Sequence, residues 1–126
     1  FDHYMLSMFG EEPMKAFVQE AVKEALMLDR ALTKLEQHPE HIKKIALLHY
    51  SPVSATVAGE PEPIFPFLGC SRLAEPLIRR KVDAVFHGHA HAGILQAETE
   101  GIRIFNVARP VLLKAGYEKP FFMLEL

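Results

Sequence analysis

Three imidazoles stand within five positions at His87-Gly88-His89-Ala90-His91. Imidazole is a borderline ligand that suits Zn, Mn, Fe or Ni, so the first chemistry to consider is binding of a divalent metal. The cluster follows the apolar run Val82-Asp83-Ala84-Val85-Phe86, which reads as a buried strand. A strand that runs into a loop of ligands brings metals to the carboxyl edge of a sheet in many α/β proteins. The plain alternative is an exposed histidine cluster that captures metal only adventitiously. A second apolar run, Ile45-Ala46-Leu47-Leu48, leads into His49-Tyr50-Ser51-Pro52 and suits a strand buried on both faces. If the two strands are parallel neighbours, His49, His87, His89 and His91 converge on one edge.

The elements that must position these residues follow from periodicity. From Gly10 to His38, Met14, Phe17, Ala21, Ala25, Leu28, Leu32 and Leu35 recur at three- and four-residue spacing, which predicts one long helix with an apolar stripe. Glu11 and Glu12 suit its amino end, Pro13 is tolerable in a first turn, and Pro39 ends it. The stripe fits packing on the chain's own sheet. The alternative, which it fits less well, is a helical partner, a second copy of the chain included, with residues 10–38 as an oligomerisation module. Residues 52–69 are rich in Pro, Gly and acidic residues and read as a surface loop. Ser71 is placed to cap a helix running to Lys81, with Leu73, Leu77 and Ile78 inward and Pro76 a weak point. Strand, loop, helix and strand make a parallel crossover unit. Beyond Gly93, residues 94–98, 102–105 and 121–124 read as three further strands, the first two a hairpin turning at Glu100-Gly101.

Composition narrows the class. The chain has 126 residues, 49% hydrophobic and 24% charged, as expected of a globular domain. A formal charge of −2 provides no basic surface, so nucleic-acid binding is not expected. The lone Cys70 excludes an internal disulfide and fits a reducing compartment, which predicts a cytoplasmic protein. No apolar run approaches the roughly 20 residues of a membrane span. The first ten residues lack a basic leader region.

Gly88-His89-Ala90-His91 resembles the final Gly-His-x-His motif of the calcineurin-like metallophosphoesterases, and His49 resembles the lone histidine of their penultimate motif. Gly93, the hairpin and Asn106-Val107-Ala108 look like that family's closing strands, so the resemblance covers roughly residues 43–126. It implies a four-layer α/β/β/α sandwich with mixed sheets and a dinuclear centre of two divalent ions, of which Mn, Fe, Zn and Ni all qualify. His49 and His89 would bind one ion and His91 the other. Ions about 3.5–4 Å apart would bind the phosphoryl oxygens of a phosphoester and hold a hydroxide for in-line attack. His87 matches no ligand and is expected to pack or to touch one.

The family's earlier motifs, Asp-x-His, Gly-Asp-x-x-Asp and Asn-His followed by an acid, are absent; Asp2-His3 has the wrong spacing. The chain, opening at Phe1, is therefore expected to be a single partial domain. Residues 10–38 would form its helix and 43–126 its sheet and ligand region, with the amino-terminal half as partner and the fragment alone inactive. Other metal chemistries fit less well. A metallo-β-lactamase pattern fails at Ala92, and the 35 residues after His91 are too few for an amidohydrolase barrel. A mononuclear zinc site on His87, His89 and His91 stays open, as does a binding domain that keeps the fold without catalysis. Arg72, beside a helix start, is a candidate phosphate contact. Asp83, Glu60, Glu62 and Arg109 read as structural or solvated charges, and Cys70 as non-catalytic.

Overall fold

The protein, seen here in a computed structural model, is described over residues 10–126; Asp2 and His3 lie outside the described residues. Helix α1 spans Glu11–Glu36, with Glu11 and Glu12 in its first turn and Lys34 in its last, each at the favourable end of the helix dipole. Strand β1 (Ile45–Leu47) pairs in parallel with β2 (Ala84–His87), which pairs in parallel with β4 (Ile102–Asn106). Strand β3 (Gln96–Thr99) is antiparallel to β4, giving a mixed sheet in the order β1-β2-β4-β3. Glu100 and Gly101, the two residues between β3 and β4, both have positive φ (49° and 79°), as a two-residue hairpin turn requires.

Between β1 and β2 the chain is more structured than its composition suggests. The expected surface loop contains single 3₁₀ turns at Ser54–Thr56 and Glu62–Ile64 and a short helix α2 at Phe65–Leu68. Thr56, Val57 and Leu68 are buried, because Val57 and Leu68 pack against Ala90 under the histidine loop. The helix expected from Ser71 is a 3₁₀ turn at Ser71–Leu73 running into α3 at Ala74–Arg79, with no side-chain cap. The later start puts Pro76 in the first turn of α3, where its missing N–H costs nothing.

Leu32, Ala46, Leu77, Val85, Ile102 and Ile104 form the core between the sheet and the two helices α1 and α3. An ionic cluster fastens the same junction: Arg80 Nε lies 3.1 Å from Asp29 Oδ1, and its Nη1 lies 2.8 Å from Glu36 Oε2. The stripe on α1 is only partly used. Met14, Ala25 and Leu32 are buried, whereas Phe17 and Leu35 are exposed, since the sheet reaches only part of the helix.

Two expectations for the strands fail. β1 is not buried on both faces: Ala46 is buried, but Ile45 and Leu47 are 45% and 78% exposed, because β1 is an edge strand with helices on one side only. Residues 121–124 join no ladder. Instead Phe122 lies on the opposite sheet face, its ring 4.9 Å from Phe105 and 6.2 Å from Phe86, while Phe121 and Met123 stay exposed. Helix α4 (Arg109–Lys114) follows β4 and buries Val111 and Leu112. Among the described residues, no helix is long and apolar enough to cross a membrane.

Candidate metal centre

Parallel pairing of β1 with β2 sets the loops after them side by side, and the Gly88 N–H donates to the His49 carbonyl across the gap (3.2 Å). Beneath these loops lies a small buried polar cluster of Ser51, Thr56, His87 and Asn106. His87 Nδ1 lies 2.9 Å from the Gly88 carbonyl, which can only accept, so Nδ1 carries the proton. Nε2 then accepts from the Thr56 hydroxyl at 2.7 Å. Both ring nitrogens are thus engaged inside the protein, and burial pushes the imidazole below its usual range, partly offset by the Gly88 carbonyl. His87 is a neutral strut, as its lack of a match to any ligand position predicts.

Asn106 faces His87 across the β2–β4 ladder. Its Nδ2 donates to the carbonyls of Ala90 (2.8 Å) and Thr56 (3.3 Å), and its Oδ1 accepts from the Ala108 N–H (3.1 Å). Gly93 lets the loop come this close, since a Cβ there would collide with the Thr56 carbonyl and the Asn106 amide. Glu60, expected to be a solvated charge, accepts from the Ala92 N–H at 2.7 Å and pins the loop from outside. Held at several points, His89 adopts a left-handed backbone, φ 67°, that costs a non-glycine residue about 1 kcal/mol or more.

That conformation turns the His89 ring towards His49. His89 Nε2 lies 3.1 Å from the Phe67 carbonyl and must donate to it, so Nδ1 is unprotonated and accepts a hydrogen bond from His49 Nε2. Nδ1 lies 3.2 Å from His49 Nε2. Two nitrogens each about 2.0–2.1 Å from a tetrahedral zinc would lie about 3.3 Å apart. The pair has that spacing, and a ligating histidine that donates its other N–H to a backbone carbonyl is the usual arrangement. The hydrogen-bonded pair thus has the nitrogen spacing of two ligands to one divalent cation. The Tyr50 ring packs edge-on to both, with centroids 4.8 and 5.0 Å away.

His91 sits in the following turn, exposed. Among the described residues, no third His, Cys, Asp or Glu completes a group able to hold a metal. Arg72 is exposed, with Nη1 3.8 Å from Glu75 Oε1. Ser51, Thr56, Tyr50 and Phe67 escaped the sequence reading; the only signal was their position between a strand end and a proline-rich segment. No protein-family model, no curated protein and no solved structure matches this chain.

Proposed function

We propose that this chain supplies part of a dinuclear metal centre that hydrolyses phosphoesters. His49 Nε2 and His89 Nδ1 would hold one divalent ion and His91 would contribute to a second. The observation that carries the reading is the His49–His89 pair, with its ligand spacing and a tautomer fixed by the Phe67 carbonyl. Divalent ions supply Lewis acidity towards phosphoryl oxygens and a nucleophile at neutral pH. In this reading the residues of the chain hold and orient: Phe67 fixes the His89 proton on Nε2, and His87, Thr56 and Asn106 hold the loop.

Two histidines leave a four-coordinate ion short of ligands, so in this reading the remaining groups, a bridging carboxylate among them, come from outside the described residues. The same reading puts a second sheet on the face where Ile45, Leu47 and Phe122 lie, completing a four-layer α/β/β/α sandwich. A zinc site on His87, His89 and His91 is disfavoured, because His87 is 1% exposed and its nitrogens are bonded within the core, away from the loop edge where His49 meets His89.

The test is hydrolysis of a generic phosphodiester in Mn²⁺ by the chain together with the segment that completes the domain. His49→Ala and His89→Ala should each lower kcat/KM by at least about a hundredfold. Unchanged turnover in both variants would refute the assignment.

A further inference from the structure

Next to the histidine pair lies an apolar cavity of about 490 Å³ between α1 and the segment carrying α2 and Arg72. That volume falls in the range of small-molecule sites, roughly 300–1,000 Å³. Its wall and the metal site share residues. Tyr50 lines the cavity and touches both His49 and His89, and Phe67 lines it while its carbonyl fixes the His89 tautomer.

We propose that this cavity holds a neutral aromatic ring of the phosphoester substrate while the phosphoryl group sits at the histidine pair. This deepens the phosphoester reading and rests on it. Three rings, Phe17, Tyr50 and Phe67, stand in the wall, and Phe17 and Phe67 are tilted at 55° with centroids 5.6 Å apart. Tilted rings offer both face and edge to a planar guest, the arrangements that aromatic pairs prefer. Charge in the lining orders the substrate. Arg72, ion-paired with Glu75, lines the cavity on one side, while Glu24 and Glu20, the latter paired with Lys23, line the other; the described lining thus offers no unpaired cation to a second anionic group. The ring is therefore uncharged, and the single phosphoryl group lies towards Tyr50, the lining residue that touches both histidines.

The proposal separates from the metal reading in a binding assay without turnover. In Zn²⁺, ¹⁹F NMR of 2-(4-fluorophenyl)ethylphosphonate reports displacement by 2-phenylethyl-, ethyl- and octylphosphonate. The phenyl compound should bind at least tenfold more tightly than the ethyl compound and more tightly than the octyl. Val18→Glu and Val22→Glu, at cavity positions 43% and 37% exposed where the fold tolerates charge, should each bring phenyl and ethyl compounds to equal affinity. His49→Ala should weaken both by one common factor; if it does not, the metal reading fails while the ring preference still reports on the cavity. Adenosine 5′-monophosphate separates two sources of such a ring: it outcompetes the phenyl compound for a nucleobase site and falls below it for an aryl site. Equal affinity of phenyl and ethyl compounds in the native protein, an octyl preference, or a ring preference unmoved by both glutamate variants would overturn the proposal.

Discussion

His89 combines backbone strain, a fixed tautomer and ligand spacing in one residue. Its left-handed φ of 67° is a cost that the buried Asn106 and Gly93 contacts impose, and strain of this kind concentrates where geometry is needed for function. Glycine is at ease in that conformation, so His89→Gly should be more stable than His89→Ala by about 1 kcal/mol in urea denaturation. Both should lose metal. Equal stability would mean that the backbone at 89 is not under the strain described. The sequence made His49, His89 and His91 visible as ligand types, and the spacing of strands and histidines placed two of them together. It did not show that Phe67 sets the tautomer or that Thr56 consumes the second nitrogen of His87. Those contacts join residues 22 and 31 positions apart, and no local pattern encodes them.

Among the elements, the β1–β2 pairing does most to position the site, and Asp83 locks its far end. The Lys44 N–H donates to Asp83 Oδ2 at 2.7 Å, and the Asp83 N–H donates to the Lys44 carbonyl at 2.9 Å. That backbone hydrogen bond to the carboxylate, with Lys43 nearby, holds the Asp83 carboxyl below its usual value of 3.8 despite partial desolvation. A carboxyl whose pKa is depressed by folding stabilises fully above its unfolded value, and the contribution disappears as pH falls through the folded one. Asp83→Ala should therefore cost about 1–2 kcal/mol at pH 7. The gap to wild type should close as the pH is taken well below 3.8, and a gap constant with pH would contradict this. Periodicity made the long helix legible, continuous apolar runs the two parallel strands, and the Glu100-Gly101 turn the hairpin. Residues 121–124 misled because four apolar residues in a row suit either a strand or a tail docked by one ring, and only tertiary contact decides.

Among the described residues, α1 and α3 pack on one face of the sheet and the other face is incompletely covered. Leu47, Phe86 and Phe105 lie in register across β1, β2 and β4, yet Phe105 is buried and Leu47 is 78% exposed. An apolar side chain on an edge strand invites association. Leu47→Lys should reduce self-association of the 126-residue chain in sedimentation velocity; unchanged sedimentation would place any contact elsewhere. The partial burial of the α1 stripe has the same origin as the exposed β1: each element is longer or more apolar than the sheet beside it can use. Composition alone could not reveal this, because it counts apolar residues without saying which have neighbours.

We propose that His49 Nε2 and His89 Nδ1 share one cation. Long-range ¹H–¹⁵N correlation of the histidine rings, followed through a Zn²⁺ titration of the protein, reads each nitrogen directly. His49 Nε2 and His89 Nδ1 should move together to metal-bound shifts. His89 Nε2 should stay protonated against the Phe67 carbonyl, and His87 should be unchanged. A response from His87, a switch of the His89 proton to Nδ1, or a saturating Zn²⁺ signal that leaves His49 and His89 unmoved would contradict it.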